Sequence, residues 1–220
     1  MGVATHLGIK LGEYDAVIRT LIPHYQELIS AAGAVVGTLA GRNPAVVDLG
    51  TGTGALAARI LKARPTARVT GIDEDAGMLA MAGSRLEGRL TAIHGNFERT
   101  PLPRCDVVSA SFALHHIRTS RRKAAVYTRC FRALRRGGLM VSADCCLAAT
   151  PALQHRHREA WLMHLRKRYS AARSAAYLRA WGKEDVYFTL DQEVTLLTEA
   201  GFGVEIVFRK DCFAVVVGLK

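Results

Sequence analysis

Three glycines, Gly50, Gly52 and Gly54, fall within five positions directly after the apolar run Val46-Val47-Asp48-Leu49, whose one polar member is an acid. A glycine-rich turn from a strand into a helix lets a ligand touch the backbone and aims the helix N-terminus at it. Two ligand classes fit. Gly50, Gly52 and Ala55 satisfy the G-x-G-x-x-G/A dinucleotide pattern, and Asp73 follows at about 20 positions, where a ribose-binding acid is expected. Asp48 shifts the balance, because a carboxylate two residues before the first glycine repels a pyrophosphate and attracts a cation. Further along, His115 and His116 in SFALHHI offer two imidazoles, groups that titrate near neutrality and can take a reacting partner's proton.

The elements that must position these residues follow from periodicity. Within residues 11–40, Tyr14, Val17, Ile18, Leu21, Tyr25, Leu28 and Ile29 recur at helical spacing, and Pro23 breaks or opens a helix. Asn43-Pro44 then precedes an alternation of short apolar strands with helices. Strands are expected at Val46–Leu49, Arg68–Ile72, Leu90–Gly95, Asp106–Phe112 and Gly138–Ala143, and helices at Ala55–Ala63, Ala76–Arg85 and Ser120–Leu134. Such strands imply a parallel sheet buried on both faces, with ligands at the strands' carboxyl ends. Residues 152–181, rich in arginine and aromatics, suit a helical insertion; a helix ending at Gly201 and a hairpin of Val204–Phe208 with Phe213–Leu219 close the chain.

At 220 residues, half of them apolar, the chain fits one domain with a substantial core. We divide it into an N-terminal helical cap (1–43), a ligand-binding core (44–150), a helical lid (151–185) and a C-terminal helix with hairpin (186–220). No apolar run reaches the roughly 18 to 20 residues of a membrane span, and MGVATHLGIK lacks the long apolar stretch of a secretory signal, so a cytoplasmic protein is expected. Five cysteines without C-x-x-C spacing read as free thiols of a reducing compartment, with Cys145 and Cys146 on opposite faces of a strand. The net charge of +11 would suit an anionic partner such as tRNA, yet only seven of the 30 basic residues are lysine and the arginines are scattered, which favours a solvated basic exterior.

A sulfonium with an amino group is a cationic ligand of the kind Asp48 would welcome, and VVDLGTGTG resembles motif I of the class I S-adenosylmethionine-dependent methyltransferases. The resemblance continues through VTGIDEDAGML, HGNFE, CDVVSASFALHHI and FRALRRGGLMVSADC to LLTEAGF and the closing hairpin, over roughly residues 44–150 and 189–220. It implies a Rossmann-like α/β fold with a mostly parallel seven-stranded sheet, an antiparallel C-terminal strand, helices on both faces and a helical lid. It further implies that Asp48, Gly50, Thr51, Gly52 and Gly54 border the methionine moiety, that Asp73 accepts from both ribose hydroxyls, and that Met78 lies beside adenine. Asn96, where the family commonly has aspartate, would accept from the adenine amino group; Phe97 would touch the adenine edge, and Ser111 would join the cofactor contacts.

His115 and His116 would stand beside the reactive methyl, the first facing the pocket and the second packing. Tyr14 and Tyr25 would close over the cofactor, and His157, His164, Trp161 and Tyr169 are candidate substrate walls. Asp144 holds the place of a metal ligand in the catechol methyltransferases, but no second and third acidic ligands appear near it, so no metal is expected.

The leading reading is methyl transfer from S-adenosylmethionine to an oxygen or nitrogen of a small molecule, leaving S-adenosylhomocysteine, by a monomer or homodimer. A runner-up is an RNA-related S-adenosylmethionine enzyme, either an RNA methyltransferase or a relative of the carboxy-S-adenosylmethionine synthases, which YDAVIRTLIPHYQEL and CFAVVVGLK resemble. A nicotinamide-dependent oxidoreductase and a non-catalytic cofactor-binding module complete the alternatives.

Overall fold

A computed structural model of the chain describes residues 11–39 and 43–220; the rest of the expected N-terminal cap, including MGVATHLGIK, lies outside the described residues. Pro23 separates α1 (Tyr14–Leu21) from α2 (Tyr25–Gly37), with His24 between them in the left-handed region at φ 59°. The alternation then follows: β1 (Ala45–Leu49), α3 (Ala55–Ala63), β2 (Arg68–Asp73), α4 (Ala76–Arg85), β3 (Leu90–His94), β4 (Cys105–Ser111), α5 (Ser120–Ala133) and β5 (Leu134–Cys145). The insertion forms α6 (Pro151–Arg166) and α7 (Ala171–Glu184), and α8 (Leu190–Glu199) leads into β6 (Gly203–Lys210) and β7 (Phe213–Leu219). Thr189 and Gln192 close a reciprocal capping box at the start of α8.

The seven strands lie in the order β3-β2-β1-β4-β5-β7-β6, with β7 antiparallel to its neighbours. The order reverses between β1 and β4, so the chain leaves these two strands in different directions and opens a crevice at their carboxyl ends. Side chains alternate across the sheet. Val46 belongs to a core shared with α1, α2, α3, α6 and α7, while Val47 and Leu49 belong to one shared with α5 and α8. Cys145 and Cys146 likewise fall into opposite cores, and all five cysteines are buried free thiols.

Two features differ from expectation. β5 begins at Leu134 rather than Gly138, because Leu134 pairs with Cys105 ahead of a register shift; its exposed Arg135-Arg136-Gly137 carries no apolar pattern to betray a strand. The insertion packs on the α1 side of the sheet: Trp161 donates to the Leu21 carbonyl at 2.8 Å and meets Phe213 edge-on at 4.9 Å, and only the C-terminal end of α7 reaches the crevice. No helix among the described residues is long and apolar enough to cross a membrane.

A buried charge joins α5 to α8. Lys123, 1% exposed, and the Tyr127 hydroxyl both donate to the Glu193 carboxylate, and the ammonium stands 4.4 Å from the Phe188 ring centre. Removing one partner leaves an uncompensated buried charge, so Lys123→Met is expected to cost about 3 kcal/mol or more in urea unfolding. The double variant Lys123→Met with Glu193→Met is expected to recover more than half of that loss. A double variant as unstable as the sum of both singles would show that the pair is not coupled.

Candidate active site

β1 delivers the chain to the crevice, and the glycine turn begins there. Gly50 takes φ +61°, and a Cβ on it would stand 2.6 Å from the Cβ of Ala113 in the loop after β4. Part of what must come close to this backbone is therefore the protein itself. Gly52, at φ +53°, would bring a Cβ no nearer than 4.0 Å to its neighbours, at the Gly50 carbonyl oxygen, and sends its N–H to Asp73 Oδ2 at 2.8 Å. Asp73 Oδ1 accepts from Asp75 N at 2.9 Å, so the carboxylate is oriented from both sides with lone pairs to spare. Burial raises its pKa, against the opposing pull of the two N–H groups.

Asp48 lies behind the turn, 2% exposed. Its Oδ1 accepts from Ser109 Oγ on β4 at 2.5 Å and its Oδ2 from Thr51 Oγ1 at 2.7 Å. Burial pushes its carboxyl up to about 6, the two hydroxyls working against that and the Asp73 charge adding to it. Asp48 and Gly54 thus support the wall without lining it. Gly50, Thr51, Gly52, Asp73, Met78 and Ser111 line a cleft of about 980 Å³. Asn96 and Phe97 line it too, although Asn96 also serves as a turn former, its Oδ1 accepting from Glu98 N at 2.8 Å and its Nδ2 donating to Glu74.

The roof comes from the N-terminal helices. Tyr14 and Tyr25 line the cleft; burial first, then the nearby Asp73 charge, raises the Tyr14 hydroxyl to about 12. Tyr25 stacks on Phe112 at 5.6 Å, and Phe112 itself holds φ +49°, an uncommon conformation for an aromatic residue and one that directs the chain into the histidine turn. Asp15 ties α1 to the glycine turn by accepting from Thr53 Oγ1 at 2.8 Å and pairing with Arg85, which also donates to Thr53. Sequence reasoning missed Asp15, Thr53, Arg85 and Phe112. No spacing rule links positions so far apart in the chain.

At the other end of the cleft, a short 3-10 turn, Leu114–His116, carries the two histidines, and their orientation is the reverse of that expected. His115 is buried and stands behind the wall, while the exposed His116 lines the cleft. The reason is Asp144 at the end of β5. Its Oδ2 accepts from Leu114 N and His115 N at 3.1 and 3.2 Å, and its Oδ1 from His115 Nδ1 at 2.6 Å and Cys145 N at 2.8 Å, which draws His115 inward. Burial opposes charge on both members of the pair, but mutual attraction wins: His115 titrates above and Asp144 below its ordinary range.

Asp185, just past α7, completes this wall. Its Oδ1 is 3.2 Å from His116 Nδ1 and 3.8 Å from His115 Nε2, and its Oδ2 accepts from Tyr187 Oη at 2.7 Å. Asp185 lies in the insertion, outside every motif, and nothing in the sequence marked it. His157 and Trp161 do not meet the cleft. They line a second cavity of about 410 Å³ with Cys145, Trp181, Tyr187 and Cys212, and His164 and Tyr169 line neither.

Comparison with known proteins agrees with this geometry. A family model described as a methyltransferase domain matches residues 46–138. An uncharacterized methyltransferase of Geobacillus thermodenitrificans is 27% identical over 196 residues, covering 87% of this chain and 84% of the relative. A carboxy-S-adenosyl-L-methionine synthase of Campylobacter jejuni is 22% identical over 94% of this chain and 90% of its own length. Among solved structures, human N-acetylserotonin methyltransferase in complex with SAM superposes with a TM-score of 0.61 at 19% identity over 88% of this chain, which spans 51% of that longer protein. The glycine turn, the acid ending β2 and these likenesses agree: the chain is a class I S-adenosylmethionine-dependent methyltransferase, and S-adenosylmethionine is its cofactor.

Proposed function

We propose that the enzyme transfers the cofactor's methyl group to an oxygen or nitrogen of a small molecule held between the cofactor and the His116–Asp185 wall. The single observation that carries this reading is the continuity of the cleft, which runs from Asp73 to His116 and Asp185 without a break. Its volume of about 980 Å³ lies at the upper end of the roughly 300–1,000 Å³ of small-molecule sites, with room for a metabolite beside the cofactor. By its name, the human structural neighbour also acts on a small molecule.

The residues present fit the cofactor. When bound, S-adenosylmethionine supplies a methyl carried on a sulfonium sulfur. Asp73 receives the ribose hydroxyls with its spare lone pairs, Met78 and Phe97 flank the adenine, and the backbone of Gly50 and Gly52 borders the methionine part. Asp48 contributes a negative charge behind that backbone. Tyr14 and Tyr25 exclude water from above, and the wall that carries His116 and Asp185 places the acceptor's heteroatom in line with the methyl, where alignment supplies much of the rate.

A second reading follows from the Campylobacter relative, whose alignment over 94% of the chain takes in the insertion as well as the core. On that reading the cofactor itself is modified. Incubation of methyl-labelled S-adenosylmethionine with a panel of phenols and amines, and separately with prephenate as a carboxyl donor, separates the two: label on an acceptor supports methyl transfer, and a cofactor heavier by a carboxyl group in the prephenate reaction supports the second. Methylation of tRNA, with affinity falling steeply with salt, would instead give function to the exposed arginines of α6 and α7.

Asp73→Ala is expected to weaken cofactor binding by roughly 100-fold or more in calorimetry, the worth of two hydrogen bonds to a charged group at about 1.5 kcal/mol or more each. Asp48 links binding to pH. Its carboxyl, held near about 6 by burial, is neutral below that and negative above, and a cationic ligand favours the negative form. Affinity for S-adenosylmethionine is therefore expected to fall several-fold from about pH 7.5 to about pH 5, with S-adenosylhomocysteine less affected and Asp48→Asn flattening the profile. In the protein without ligand the sign reverses: the folded pKa exceeds the unfolded value of roughly 3.9, so Asp48 lowers stability as pH rises from about 4 to about 6. Thermal melts of Asp48→Asn across that window are expected to lack this contribution.

A further inference from the structure

The wall at the acceptor end of the cleft holds a donor set that hydrogen bonding does not use up. One nitrogen of His115, one of His116 and a carboxylate oxygen of Asp185 lie within 4.8 Å of one another. Although Asp185 Oδ1 is 3.2 Å from His116 Nδ1 and 3.8 Å from His115 Nε2, neither approach has hydrogen-bond geometry. That oxygen is buried without a hydrogen-bond partner on a side chain only 7% exposed. A buried carboxylate oxygen in this position costs free energy unless a ligand satisfies it.

The three side chains are prepared as metal ligands are. Asp144 accepts from His115 Nδ1, so that in the neutral ring the lone pair is on Nε2, facing Asp185, the arrangement of a carboxylate–histidine–metal triad. Tyr187 occupies Oδ2 of Asp185 and leaves Oδ1 to the histidines. Bonds of about 2.0–2.2 Å to a tetrahedral ion set ligand atoms roughly 3.3–3.5 Å apart. The two distances to Asp185 bracket that spacing, and the exposed His116 ring is free to adjust. Two imidazoles and a carboxylate suit zinc and its neighbours, with a fourth position open, whereas magnesium and calcium take oxygen ligands.

We propose that His115, His116 and Asp185 bind a divalent transition-metal ion of the zinc class, with Asp144 and Tyr187 as positioning residues. This revises the expectation of no metal, which considered only acids close to Asp144 in the sequence; the fold brings Asp185 to the site from beyond α7. Because His116 and Asp185 line the cleft, the open position faces the acceptor, and a hydroxyl, thiol or amine lone pair can take it. That choice of ligand rests on the methyltransferase reading just given. Binding of the ion does not.

The test is titration of the chelator-treated, untagged protein with Zn2+ by calorimetry and with Co2+ by visible absorption. About one ion per chain is expected, with the intense d–d bands of low-coordinate Co2+. His116→Ala and Asp185→Asn are each expected to weaken Zn2+ binding at least tenfold, and Asp144→Asn to weaken it by about tenfold and shift the Co2+ bands. Circular dichroism melts establish that each variant is folded, and His116→Ala, at an exposed position, keeps the test sound if Asp185→Asn unfolds. Absence of saturable binding, or binding unchanged in folded His116→Ala, overturns the proposal. Asp73→Ala separates the two readings: it is expected to keep its Zn2+ affinity while its affinity for S-adenosylmethionine falls, and failure of wild type to bind S-adenosylmethionine would sink the cofactor assignments without touching the metal result.

Discussion

A carboxylate buried between the two central strands organises the cleft. Asp48 reaches across the sheet to Ser109 on β4 and forward to Thr51 in the glycine turn, so one side chain fixes the relative position of the two strands whose paths diverge. The divergence makes the crevice, and Asp48 holds its floor. The cost is a charge kept out of water, which burial expresses as a raised pKa, and the hydroxyls offset only part of it. Such a residue is hard to justify by folding alone. On the function proposed above, a cationic ligand would supply what the fold withholds.

Asp144 repeats the device one strand further on. Its four accepted hydrogen bonds draw His115 beneath the surface and set His116 on the cleft, and the 3-10 turn between them leaves little freedom. The segment following α7 docks against that turn through Val186 N, which donates to the His115 carbonyl at 2.9 Å. Core and insertion are thereby joined at the place where the acceptor would sit. The N-terminal helices are joined at the opposite end through Asp15, Thr53 and Arg85.

Local signals in the sequence were read well and distant ones poorly. The helices Ala55–Ala63 and Ala76–Arg85 were legible to the residue, because each follows the end of a short apolar strand in a regular alternation; in the structure Asp75 caps the second by accepting from Gly77 N and Met78 N. Asp73 was legible from its spacing to the turn and its place at a strand end. The orientation of the histidine pair was not, because it depends on a carboxylate about 30 positions away whose partner cannot be chosen by spacing. Asp185 and Asp15 failed to register for the same reason: each acts through a contact made only when the chain has folded. Trp161 looked like a substrate wall and became core, as aromatic residues at helical spacing usually do.

The stretch matched by the methyltransferase family model, residues 46–138, contains the glycine turn, Asp73 and the histidine pair, but neither the tyrosine roof nor the two acids that complete the far wall. Tyr14 and Tyr25 precede it; Asp144 and Asp185 follow it. Inheritance can therefore act on the two parts separately. On the function proposed above, substitutions in the flanking segments would reshape the roof and the far end of the cleft while the glycine turn and Asp73 stay unchanged, so descendants of one ancestor could diverge in diet while sharing a fuel.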